Sequence, residues 1–342
     1  MVGKDAVTIK DVSERAGVAI STVSRVLNGL DRVSDETRER VRQAADELGY
    51  VRNSLAASVK TGLSRLIVVI VPDIINEYYT SVIQGVEEVA VSNGYYPVVF
   101  SSKDSHNKEN ELFSGELGHI LDGAIIIPAI NDLSYYKGLD KPVVVVDRYV
   151  SGSEMPAVVI DNHRGGYLAT QELIQAGHRD IAVISGAEEF NIGIDRLAGY
   201  TDALRDHGLP PRREYIRTGS WYQDFGYDCT MALLALDRPP TAIFAANNLL
   251  CIGCLQALRR RGLAVGRDIS LVGLDDSAVA ELAEPGITVV KRATTEMGRL
   301  GMEKLIDLIE QRKEPRHPRK IVLDVGLVRR RSVAPPPTGT GT

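Results

Sequence analysis

From Leu66 onward the sequence repeats one unit: a short continuous run of Val, Ile and Ala, then an amphipathic stretch of helical length. The runs stand at Leu66 to Val71, Pro97 to Phe100, Ala124 to Ile127, Val143 to Val146, Val158 to Ile160, Ile181 to Ile184, Ala242 to Phe244 and Ile269 to Val272. Between them lie stretches of helical periodicity such as Thr80 to Ser92, Gly165 to Ala176 and Arg196 to His207. Strands without polar alternation are buried on both faces, and strands separated by helices run parallel, so the pattern predicts a doubly wound α/β core. There are too many runs for one ordinary sheet, and a second is expected to begin near Asp161 to Arg164. Two similar lobes follow, with the carboxyl ends of their strands around a shared cleft, where such folds bind ligands.

At 342 residues the chain has room for two or three compact units, each with its own core. It is 44% hydrophobic and 25% charged, and no apolar run is long enough to cross a bilayer, so no membrane partner is expected. Met1 to Lys10 lacks the apolar stretch of a secretory signal, which points to the cytoplasm. Three cysteines, Cys229, Cys251 and Cys254, are too few for a disulfide framework. Cys251 and Cys254 have C-x-x-C spacing, but Ile252, Leu255 and Leu258 make them part of a packed helix from Asn248 to Arg260, and no Cys/His pair stands near to complete a zinc site. No Gly-rich phosphate loop, G-x-S-x-G elbow or metal-ligand helix occurs, so neither an enzyme nor a cofactor or metal is expected. The net charge of -5 excludes a chain coated in positive potential, and any binding to nucleic acid has to be local.

Residues 1–60 read differently, as helices with short turns and no strand, which marks a domain boundary before Leu66. Thr8 is placed to cap a helix from Ile9 to Ala16, with Asp11 reciprocating, and Gly17 permits the tight turn that follows. A second helix carries Val23, Val26 and Leu27 on one side and Ser21, Thr22 and Arg25 on the other. Ser34 caps a third helix to Leu48, on which Val41, Ala44, Ala45 and Leu48 close a small core. Helix, glycine turn and short helix make a helix-turn-helix. A three-helix bundle with no role at DNA would bury the same residues; the outward ones separate the two readings. Thr22, Ser24 and Asn28 suit phosphate oxygens, and Arg25 has the planar fork that matches guanine O6 and N7 in the major groove.

The run VTIKDVSERAGVAISTVSRVLNGLDRVSDETRERVRQAADELGY resembles the headpiece of the lactose and galactose repressor (LacI/GalR) family, and the likeness continues to about Arg331. The resemblance implies an all-α helix-turn-helix headpiece over 1–52, a hinge helix or linker over 53–62, and an effector-binding and dimerising core over 63–331. The core would be two doubly wound, parallel-sheet, periplasmic-binding-protein-like lobes: an N-lobe of about 63–160 and 292–322, and a C-lobe of about 161–291 and 323–331. The Pro/Gly/Thr-rich tail, 332–342, is expected to be disordered. In that family the positions matching Ile20, Ser21 and Arg25 read bases, and those matching Thr22, Ser24 and Asn28 hold the backbone, with Thr8, Asn53 and Ala56 expected beside them. Val59 stands at the hinge position where the family wedges a leucine into a minor-groove base step; being shorter and β-branched, it should reach less far. Two departures are Ala19, where a capping serine is usual, and Arg52, where proline is common.

In the core, the resemblance places Arg196 of DRLAGY as a fork to ligand hydroxyls or carboxylate, Asn247 of AANN as a ligand amide, and Asp275 of VGLDD as an acceptor for sugar hydroxyls. Asn248 stands where the family has an aspartate. Asp73, Asn76 and Tyr78 after the first strand, Asp147 after VVVV, and Trp221, whose face can stack on a pyranose, complete the expected site. Arg292 stands where glutamine is frequent, and if it enters the cleft an anionic sugar acid or phosphate becomes a candidate ligand, unless a neighbouring carboxylate takes its charge. The expected protein is thus a bacterial cytoplasmic, nucleoid-associated transcription regulator, a repressor by family habit, binding a palindromic duplex operator as a homodimer under control of a sugar or sugar derivative. Both signs of control are compatible with these residues, release from DNA and the tightening of a purine-type corepressor. A secreted solute receptor shares the core but needs no helix-turn-helix; an α/β enzyme would turn its ligand over.

Overall fold

The computed structural model describes residues 7–27, 33–50, 63–311 and 318–337. They fall into two units that divide after Ser64. The expected hinge, 53–62, with Asn53, Ala56 and Val59, lies outside the described residues, as does Asn28.

The first unit is three helices, α1 (Ile9–Ala16), α2 (Ile20–Leu27) and α3 (Asp35–Leu48). Thr8 and Asp11 form the reciprocal capping box at the start of α1, which satisfies two of the helix's orphan donors. Gly17 ends α1 in the left-handed region at φ 65, and buried Ser13 donates to Val18 O at 2.6 Å, fixing the turn into α2. Val12, Ala16, Val23, Val26, Val41, Ala44 and Ala45 bury a core shared by all three helices.

The second unit holds two six-stranded sheets. One is formed by β1 (Leu66–Val71), β2 (Tyr96–Ser101), β3 (Gly123–Ile126), β4 (Val143–Val146), β5 (Ala157–Ile160) and β11 (Lys320–Leu323), in the order β11-β5-β4-β3-β1-β2. The other is formed by β6 (Ile181–Gly186), β7 (Ile216–Gly219), β8 (Ala242–Ala245), β9 (Ser270–Leu274), β10 (Thr288–Arg292) and β12 (Val325–Val328), in the order β12-β10-β9-β8-β6-β7. Every pairing is parallel except that of β10 with β12. The central strands are buried along their whole length, as continuous Val/Ile runs require.

The chain passes between the sheets at Asp161, at Ala293 and at Asp324. Arg292 therefore ends a strand of the second lobe and Leu323 a strand of the first, one residue from where the sequence divided them. The segment 332–337 corrects the expectation of disorder there, while 338–342 lie outside the described residues. Ser332 is fully buried: its hydroxyl donates to Leu271 O at 2.6 Å and accepts from Thr288 N at 2.8 Å. His178 Nε2 donates to Ala334 O at 2.9 Å, so this segment laces β9 and β10 to the turn before β6. Proline and glycine mark a segment without regular structure, which is not the same as one without partners.

Candidate DNA-facing helix and effector cleft

On α2 the buried side chains are Val23 and Val26, while Ser21 and Arg25 are exposed, Thr22 and Ser24 are half-buried and Ile20 is 47% exposed. The exposed face thus presents Ser21 and Arg25, with Thr22 and Ser24 at its border and nearly half of the Ile20 side chain open. Ala19 supplies its carbonyl to the amides of Thr22 and Val23 but has no side-chain oxygen to cap with, so α2 starts without the bond a serine would give. Thr8 is exposed but committed, both its amide and its hydroxyl donating to Asp11 Oδ2 at 2.7 Å.

Between the lobes, Asn76, Tyr78, Asp147, Arg196, Trp221, Asn247, Asp275 and Arg292 line one cavity of about 30 Å³, together with Tyr79, Arg148, Ile192 and Asn248. Asp73 stands apart from it. Its carboxylate accepts from Ile75 N at 2.9 Å, and it borders a smaller adjoining recess with Tyr222 and Asp104.

Asp147 follows β4 and Asp275 follows β9, equivalent strand ends in the two sheets, and both sit at positive φ, 65 and 87. Aspartate tolerates this region better than most residues, yet holding two there costs free energy that the surrounding contacts offset. Those contacts converge on Arg292. Its Nη1 donates to Asp147 Oδ1 at 3.0 Å, its Nε donates to Asp275 Oδ1 at 2.5 Å, and its guanidinium lies over the Tyr78 ring, 3.7 Å from the centroid. Tyr78 Oη donates to the same Asp147 oxygen at 2.5 Å. Burial opposes the Arg292 charge, but Asp275, Tyr78 and Asp147 together hold its pKa above the ordinary value. Asp275 Oδ2 is buried with no hydrogen-bond partner among the described residues.

Arg196, 2% exposed, is held differently. Its Nε donates to Asn162 Oδ1 at 2.8 Å and its Nη1 to Ala246 O at 2.7 Å, and its guanidinium lies 5.3 Å from the Trp221 ring centroid. No carboxylate pairs with it among the described residues, and burial, then the Arg292 charge, pull its pKa down to about 10. Trp221 lies flat on Gly186 at the end of β6, where a Cβ would come within 1.8 Å of the indole. Only glycine allows that approach. Gly166 serves Arg196 similarly, since a Cβ there would stand 2.1 Å from Arg196 O.

Asn247 caps the helix Asn248–Arg260: its Oδ1 accepts from Leu250 N at 2.7 Å and its Nδ2 donates to Trp221 O at 3.0 Å. Both ends of its amide are used. Asn248 donates across the cleft to Asn76 Oδ1 at 2.8 Å, and that oxygen also caps the helix Glu77–Ser92 through Tyr78 N. The sequence reading missed Tyr79, Arg148 and Ile192, and noted Asn248 only as a departure from the family's aspartate. Arg148 directly follows Asp147 and pairs with Asp104 at 2.7 Å, so the VVVVDR run carried a signal for it; Ile192, an ordinary helix residue, carried none. The three cysteines are buried and free, and no group of metal-ligating side chains occurs among the described residues.

Residues 8–53 match the family described as bacterial regulatory proteins, lacI family, and residues 170–333 match a periplasmic binding protein-like domain. The chain is 32% identical over 309 residues to the HTH-type transcriptional repressor CytR of Escherichia coli K12, covering 89% of this chain and 90% of that one. It is similar to the structure of a transcriptional regulator CelR–cellobiose complex, with 33% identity, a TM-score of 0.72, and 95% and 99% of the two chains covered. The lac repressor dimer bound to operator and the anti-inducer ONPF is similar at 27% identity with a TM-score of 0.82, covering 96% of this chain and 100% of that one. With a helix-turn-helix in front of two parallel-sheet lobes and these relatives along nearly its whole length, the chain belongs to the LacI family of bacterial regulatory proteins.

Proposed function

We propose that this regulator is a cytoplasmic repressor that binds a palindromic duplex operator as a homodimer, and that a neutral polyhydroxylated molecule, a sugar or sugar derivative, sets its affinity from the cleft between the lobes. The observation that carries the ligand class is the meeting of acceptors, donors and an aromatic face in one buried place: Asp147 and Asp275, Arg196, and Trp221. Carboxylates and guanidinium serve hydroxyls in both senses, and an indole face suits the apolar side of a pyranose ring. Arg292 favours neutrality, because its charge is already matched by two aspartates. The similarity to a regulator solved with cellobiose supports the same class.

Two headpieces on a two-fold axis suit two half-sites, and the lac repressor structure is that of a dimer on operator. Arg25 and Ser21 are the proposed base readers, Ile20 an apolar base contact, and Thr22 and Ser24 the phosphate contacts. A thermal-shift screen of sugars, polyols, sugar acids and purines tests the ligand class. A neutral sugar or polyol is expected to raise the melting temperature, and Arg196→Ala to abolish the rise while operator binding persists. Stabilisation by the same compound in the Arg196→Ala chain would remove Arg196 from the site.

A further inference from the structure

Several polar contacts join the two lobes, among them Ala278 N donating to Glu77 Oε2 at 3.1 Å, Asn131 Nδ2 donating to Glu189 O at 3.0 Å and Tyr149 N donating to Asn191 Oδ1 at 3.2 Å, and three lie at the cleft. Arg292 joins Asp147 of the first lobe to Asp275 of the second, Asn248 donates to Asn76, and Tyr222 Oη donates to Asp104 Oδ2 at 3.1 Å. The first differs from the others in joining buried charges, the side chains of Arg292 and Asp147 each being 3% exposed. Arg292 also sits at the end of β10, one residue before the chain passes into the first lobe, so a turn of its long side chain can make or break the bridge. The cavity that holds both carboxylates is about 30 Å³, far below the roughly 300 Å³ at which small-molecule pockets begin, and a neighbouring recess of about 240 Å³ shares Tyr78, Asn248, Asp275 and Arg292 but not Asp147. Something has to leave before a sugar can enter, and the guanidinium stands on the two carboxylates that a hydroxylated ligand would need.

We propose that Arg292 is a built-in occupant of the effector cleft: it clasps the two lobes closed when no effector is bound, and an effector enters by supplying its own donors to Asp147 and Asp275 and evicting it. This rests on the reading of the cleft as the effector site. It also narrows the ligand. With Arg292 displaced, Asp104, Asp147 and Asp275 face only Arg148 and Arg196, so an anion brought into the cleft would add to a net negative charge, whereas a neutral donor-rich polyol adds none and supplies hydrogen bonds to the carboxylates.

The test reads lobe spacing in the full chain with no small molecule present. Asn107→Cys and Asp237→Cys, both exposed and one on each lobe, carry spin labels, the native cysteines being buried, and labelled chains are diluted with unlabelled ones so that pulsed EPR reads distances within one chain. The Arg292 chain is expected to give one short distance, Arg292→Gln a longer and broader distribution, and Arg292→Lys a return toward the short one. If Arg292→Gln does not fold, Asp275→Asn breaks the bridge from the other side and is expected to lengthen the distance likewise. An Arg292→Gln or Asp275→Asn distribution that superimposes on the parent overturns the clasp. If the variants open but neither sugar nor polyol stabilises the parent chain, the clasp is supported and the ligand assignment overturned.

Discussion

Glu109, on the helix His106–Ser114, is fully buried, with Oε1 accepting from Ala129 N at 3.1 Å and Oε2 from Tyr136 Oη at 3.0 Å. Burial, only partly offset by these bonds, pushes its pKa up to about 7 from an ordinary 4.5. A raised carboxyl binds its proton more tightly folded than unfolded, so its contribution is fully present below about pH 4.5 and is lost as pH rises through 7. The shift corresponds to about 3 kcal/mol at most. Glu109→Gln can keep both hydrogen bonds with Tyr136 accepting, and it is expected to flatten the fall in melting temperature between about pH 4.5 and pH 7; an unchanged pH profile would show that Glu109 is not its source. At the DNA-facing helix the matching prediction concerns Arg25, which is exposed and has the geometry for one guanine. Arg25→Ala should relax preference at a single base pair by about 1–3 kcal/mol in a binding-site selection, whereas uniform weakening across sequences would reassign Arg25 to phosphate.

Among the elements, the C-terminal segment is where partners mattered more than composition. Ending the chain at Arg331 removes Ser332 and Ala334 from Leu271, Thr288, Ser270 and His178, leaving buried donors and acceptors without partners. This should cost on the order of 3 kcal/mol in denaturant unfolding, and a truncated chain of unaltered stability would mean that water replaces the segment without loss. The elements legible from the sequence were those whose surroundings are uniform. Central strands such as LIVVIV and VVVV are buried on both faces and announce themselves, and the helix Asn248–Arg260 came out with its observed ends because Asn247 caps it. The strands that escaped were β7, β11 and β12, which are sheet edges with half-exposed residues, and β10, whose apolar run is broken by Lys291 and Arg292. In the cleft the family resemblance named Arg196, Asn247 and Asp275, and strand ends named Asn76, Tyr78 and Asp147 but also Asp73, which stands apart; the partners were not legible. Arg292 reads equally as an anion receptor or as one half of an ion pair until Asp147 and Asp275, distant in sequence, are seen on the same guanidinium.

For the whole molecule, function depends on linkage: a compound that binds the closed and open cores with different affinity shifts their ratio by that difference and no more. The cleft has the parts for such a difference, because closing brings Asp147 and Asp275 to one guanidinium and Asn76 to Asn248. Operator affinity inherits the shift if headpiece spacing follows core geometry. The most direct measurement is operator affinity of the full chain on an inverted-repeat duplex at fixed salt, titrated with the neutral sugar or polyol that stabilises the core, in the parent and Arg196→Ala chains. The account predicts a change of at least fivefold in the parent that saturates with cleft occupancy and is absent in Arg196→Ala. An operator affinity that stays constant while the cleft fills, or that shifts equally in the variant, would contradict it.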